Sequence, residues 1–124
     1  MRLACAALLG LALLWTPPAP AQGASCDGAS STAAMRACEN ARLERAESGM
    51  DAAYRALEAK LDARGRERLR AAQEAWLAFR AAEARFQAES AAGGTLAPLI
   101  ATSAQADLTE ARRRDLEKAL REPR

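Results

Sequence analysis

The chain has 124 residues, half of them apolar, with 18 basic and 16 acidic side chains and no histidine. A chain of this length holds one small domain. The missing histidine removes the commonest general base and the commonest nitrogen ligand for metals, and the near balance of charge gives no reason to expect nucleic acid or a membrane surface as a partner.

Arg2 is followed by an apolar run from Leu3 to Trp15, broken only by Gly10. The run is shorter than the ~20 residues that span a bilayer. Thr16-Pro17-Pro18 ends any helix, and Ala19-Pro20-Ala21 offers small residues at the two positions a signal peptidase reads. Residues 1–21 therefore read as a cleavable signal peptide and residues 22–124 as a single exported domain, periplasmic or secreted. The competing reading is a buried N-terminal helix. A lipoprotein is disfavoured, because Cys5 has almost nothing apolar before it and Cys26 lies well beyond the apolar core.

Without Arg2 the basic residues exceed the 16 acidic ones by one. Cys5 leaves with the signal, so Cys26 and Cys38 remain, and an even count in an oxidising compartment reads as one disulfide. Two free buried thiols are the alternative.

After an irregular stretch over 22–31, Ser31 or Thr32 is placed to cap a first helix that runs to about Arg64. Leu43, Ala46, Met50, Tyr54, Leu57 and Leu61 recur at steps of three and four and make one apolar stripe. Gly49 marks a kink or a break. Asp62-Ala63-Arg64-Gly65 reads as the end of that helix, with Gly65 as a left-handed cap. A second helix spans about Arg66 to Ala91, with Leu69, Ala72, Trp76, Phe79, Glu83 and Phe86 as its expected seam. Ala92-Gly93-Gly94-Thr95 is a turn, and Thr95 is placed to cap a third helix that tolerates Pro98 in its first turn. Ile100, Ala104, Leu108 and Ala111 make its inner face, followed by Leu116 and Leu120. Valine is absent and isoleucine occurs once, so no segment has the β-branched alternation of a strand. The expected fold is all-α: a small bundle of three long helices, four if the first breaks near Gly49, with a disulfide-stapled N-terminal segment.

The sequence lacks a Gly-rich phosphate loop, a nucleophile elbow and a metal-binding motif, and no cofactor is expected. Glu44, Glu47, Asp51, Glu58, Asp62, Glu67 and Glu74 are interleaved with arginines at helical spacing, the pattern of a solvated face. Glu83 differs, because it falls between Phe79 and Phe86 on the expected seam, where a carboxylate needs a partner. Gln73, Arg80 and Glu83 are expected to form a buried polar network that fixes helix register; a ligand-binding role is the alternative. Tyr54, Trp76 and Phe79 are expected in the core. Arg112-Arg113-Arg114 point three ways around a helix and make no single basic stripe.

The stretch from Leu69 to Glu83, with Ala72-Gln73, Trp76, Phe79-Arg80 and Glu83, resembles the signature of the LprI-type lysozyme-inhibitor domain family. Cys26, Thr32, Met35 and Cys38 resemble its opening, Tyr54 and Leu57 its central pair, Gly93-Gly94-Thr95 with Ala97-Pro98 its turn, and Leu108-Thr109 with Arg112 its closing helix. The chain departs from the family where cysteines are common, at Ala84 and Ala104. Their joint replacement implies that these two positions face each other. Ala81 also stands where the family often has Asp. The resemblance implies an exported, non-enzymatic binding protein of the cell envelope whose partner is a protein, a lysozyme (muramidase). The alternative is a structural or stress-related periplasmic interaction module, and an enzyme is a distant third. Attraction to a basic lysozyme then depends on whether the acidic residues gather on one face.

Overall fold

A computed structural model describes residues 26–122, which form three helices: α1 (Thr32–Ala59), α2 (Ala63–Glu89) and α3 (Ala97–Arg121). The signal-peptide region expected over 1–21 lies outside the described residues. Among the described residues there is no strand, and no helix is long and apolar enough to cross a membrane.

Ser31 starts α1 as expected. Its backbone is extended and its Oγ accepts the Ala34 N–H at 3.1 Å, satisfying one of the donors that a helix start leaves open. Upstream, Cys26 and Cys38 are joined by a disulfide that ties the irregular segment to the first turns of α1. α1 runs through Gly49 without a break. A Cβ at Gly49 would sit 2.7 Å from Cδ of Arg113, so the missing side chain lets α3's arginine lie across α1. Close approach is what this glycine provides, and the helix is not broken there, so the bundle has three helices and not four.

The expected boundary at residues 62–65 is corrected. α1 ends at Ala59, and Asp62 belongs to the next helix, whose Gly65 N–H it holds through Oδ1 at 2.7 Å. A carboxylate at this end also suits the helix dipole. Gly65 is thus a first-turn residue of α2, and a Cβ there would press on Asp62 Oδ1 and Leu61 Cβ at 3.1 Å. The second turn holds Ala92 at φ 47° and Gly93 at φ 72°, so an alanine shares the left-handed region with the glycine. Thr95 does not cap α3. Leu96 occupies the cap position without a side-chain hydrogen bond, and Pro98 falls in the first turn, where its missing N–H does no harm.

α3 is the shared helix. It packs closely along α1 and also against α2, whereas α1 and α2 barely touch despite their short connection. Small residues on α3 explain this. Ala104 and Ala106 are both buried, and two residues turn a helix through ~200°, so opposite sides of α3 are covered. The main core gathers near the α1–α2 turn: Met50, Ala53, Leu57 and Leu116, flanked by Tyr54, Leu61, Leu69, Trp76 and Leu120. The α1 stripe is therefore as expected, with Ala53 added.

The expected seam of α2 is buried only in part: Leu69 and Trp76 pack against the core, whereas Ala72, Phe79 and Phe86 are exposed. Phe79 is 51 % exposed and Phe86 69 % exposed. Phe79 is thus not a core residue, while Tyr54 and Trp76 are half-buried against the core. The inward face of α2 is Leu69, Gln73, Trp76, Arg80 and Ala84, with Ala84 fully covered. This face carries more polar groups than its neighbour, and it turns inward because α1 and α3 supply partners for them.

Candidate functional site

The three helices meet at Trp76. Gln73, Trp76 and Arg80 lie at i, i+3 and i+7 of α2 and so project from one face. The Arg80 guanidinium lies 5.3 Å from the Trp76 ring centroid and that of Arg112, from α3, 5.9 Å. Both are within cation–π range.

Each arginine is then held by hydrogen bonds. Arg80 Nη1 donates to Glu47 Oε1 of α1 and to Thr109 Oγ1 of α3, each at 2.9 Å. Thr109 is fully buried, and its hydroxyl donates in turn to the Gln105 carbonyl at 2.7 Å. Arg112 Nε donates to Gln73 Oε1 at 3.1 Å, and Gln73 Nε2 lies 3.4 Å from the Met50 sulfur. Among the described residues no buried side-chain nitrogen or oxygen lacks a partner.

The expected Gln73–Arg80–Glu83 network is therefore not a unit. Gln73 belongs with Arg112, Arg80 belongs with Glu47 and Thr109, and Glu83 accepts from Gln87 Nε2 at 3.0 Å on its own helix. Glu47, expected on a solvated face, is instead the α1 anchor of Arg80. The three consecutive arginines do diverge. Arg112 stacks near Trp76, Arg113 pairs with Glu117 at 2.6 Å, and Arg114 is exposed.

Arg42 forms a second junction that sequence reasoning passed over. It reaches Glu39 at 2.9 Å, Asp107 at 2.7 Å and Glu110 at 3.4 Å, and its Nη2 donates to both the carbonyl and the hydroxyl of Ser103. Burial opposes its charge, but the hydrogen bonds to Asp107 and Glu39 outweigh that and its pKa is raised. Four of these acceptors come from α3, more than sixty positions along the chain, so no local spacing announces them.

A groove of about 310 Å³ lies between α1 and α2, lined by Asp51, Tyr54, Leu77, Glu47 and Arg80 among others. The side chains of Asp51 and Tyr54 make no hydrogen bond within the described residues. A hollow of about 450 Å³ lies beside the disulfide, between Met35 and Leu99. No group of three or more Asp, Glu, Cys or His among the described residues is placed to hold a metal ion.

A disulfide-stapled three-helix domain, with arginines of two helices gathered on one tryptophan, defines a class of small helical scaffolds whose helices are joined by side-chain hydrogen bonds. The sequence model of the family described as Lysozyme inhibitor LprI matches residues 24–116, from just before Cys26 through the core residue Leu116. The chain belongs to this family. No curated protein and no solved structure matches it.

Proposed function

We propose that this chain is an exported, non-enzymatic binding protein of the cell envelope that inhibits a lysozyme-type muramidase. Membership of the family described as lysozyme inhibitors carries the reading, since the match takes in α1, α2 and most of α3. The structure adds a surface of suitable charge. Glu44, Asp51 and Glu58 lie within about 40° of one another around α1, with Arg55 beside them, while Glu47 is paired with Arg80. This acidic edge borders the groove that Asp51 and Tyr54 line. A net charge near zero thus coexists with a locally acidic face, which suits the lysine and arginine side chains of a basic muramidase.

The test is turbidity loss of a cell-wall suspension treated with an animal lysozyme, with and without the purified protein. Slowed lysis at micromolar protein is expected, and Asp51→Lys should weaken inhibition while leaving the circular dichroism spectrum unchanged. Undiminished lysis at excess protein rejects the proposal.

A further inference from the structure

α2 has a second ordered face that nothing among the described residues covers. Between Arg68 and Glu89, Ala72, Ala75, Phe79, Ala82 and Phe86 follow at steps of four and three, the seam spacing of a coiled coil. All seven positions are exposed, and the two phenylalanines are 51 % and 69 % exposed. The five inner positions carry no charge, and Ala71 and Ala78 widen the strip on one side. Among the described residues neither Arg68 nor Glu89 has an ion-pair partner.

The strip is complementary to itself when reversed. Laid antiparallel on a second copy, Arg68 meets Glu89, Ala72 meets Phe86, Ala75 meets Ala82, and Phe79 meets Phe79. Each bulky Phe86 then lies over a small residue, and an ion pair closes each end. A parallel arrangement sets Arg68 on Arg68 and Glu89 on Glu89, which repel. Self-complementarity about a two-fold axis is what an isologous interface requires, whereas an unrelated partner imposes no such relation between the two ends of a strip.

We infer that α2 pairs antiparallel with α2 of a second copy of this chain, about a two-fold axis at Phe79. The strip is ~30 Å long at 1.5 Å per residue. One helix face buries less than a standard interface, so the dimer is a weak, reversible one.

Sedimentation of the purified protein from micromolar to millimolar concentration tests this. A reversible monomer–dimer equilibrium that weakens with salt is expected, since the Arg68–Glu89 pairs are exposed. Phe79→Glu puts two like charges on the axis and should weaken the dimer by about tenfold or more, a factor equivalent to ~1.4 kcal/mol. Its melting curve should match that of the parent at a concentration where the parent is monomeric, because the side chain is exposed. Arg68→Glu should also weaken the dimer, and adding Glu89→Arg to it should restore it. A protein that stays monomeric throughout, a dimer that survives Phe79→Glu, or a failed charge swap each overturns the inference. So does a monomeric protein in which Phe79→Glu abolishes only muramidase inhibition, which would assign the face to the muramidase.

Discussion

Arg80 of α2 donates to the hydroxyl of Thr109 on α3 across 2.9 Å, at a point where Thr109 is wholly shielded from solvent. The same nitrogen reaches Glu47, whose side chain is 42 % exposed. The two arms are unequal, because a half-exposed ion pair is screened by water while a hydrogen bond from a charged donor to a wholly buried acceptor is not.

Thr109→Val keeps the side chain's shape and removes the acceptor. It should destabilise the domain by ~1–2 kcal/mol, lowering the melting temperature by roughly 4–8 °C per kcal/mol for a domain near this size. Glu47→Gln should have a smaller effect. In a thermal-unfolding double-mutant cycle, Arg80→Met and Thr109→Val should be less than additive. Additive losses would show that the contact contributes nothing of its own.

Gly49 gives a prediction whose sign depends on a distant residue. An alanine in a helix interior is favoured over glycine by ~1 kcal/mol, but a Cβ here sits 2.7 Å from Arg113 Cδ. Gly49→Ala should therefore be neutral or destabilising in the parent chain and stabilising by up to ~1 kcal/mol in an Arg113→Ala background. Chemical denaturation of the four chains checks it, and a gain of equal size in both backgrounds refutes the crowding argument.

Ala92 adopts φ 47° just after α2, a region where a Cβ is penalised. Ala92→Gly should stabilise the protein by roughly 0.5–1 kcal/mol, the relief exceeding the extra backbone entropy of glycine in the unfolded chain. A lower melting temperature for Ala92→Gly would contradict this.

Ala84 and Ala104 are both buried, at 1 % and 4 % exposure, on two helices that pack together. The double substitution Ala84→Cys with Ala104→Cys should form a second disulfide on air oxidation. It would close a loop across the α2–α3 turn and add ~3 kcal/mol by the loop-entropy estimate. Thiol titration and melting with and without reductant measure this. Two free thiols in the oxidised, denatured protein would show that the pair does not meet.

The local chemistry of α1 was legible. Ser31 reads as a cap from its place before a helix-forming run, and the stripe through Met50 and Leu57 follows from periodicity. Asp62 is ambiguous in the sequence, because an Asp followed by a Gly three residues later suits either the end of one helix or the start of the next. The structure resolves it through the hydrogen bond from the Gly65 N–H. Thr95 looked like a cap but lies one residue before the cap position that Leu96 fills.

The site was legible only in part. Gln73, Trp76 and Arg80 stand out by composition and spacing, but their partners Glu47, Thr109 and Arg112 sit on other helices. Arg42 was invisible because its α3 acceptors are distant in sequence.

By itself the sequence determined the all-α class, the pairing of Cys26 with Cys38 and the inner face of α1, because helix propensity, cysteine count and 3.6-residue periodicity are local or countable properties. Only the tertiary structure decided which face of α2 turns inward. Two of its faces repeat at steps of three and four, and apolarity alone favours the one with Phe79 and Phe86. The face with Gln73 and Arg80 is the one buried, because α1 and α3 supply hydrogen-bond partners that make its burial tolerable. That choice leaves the phenylalanines facing outward.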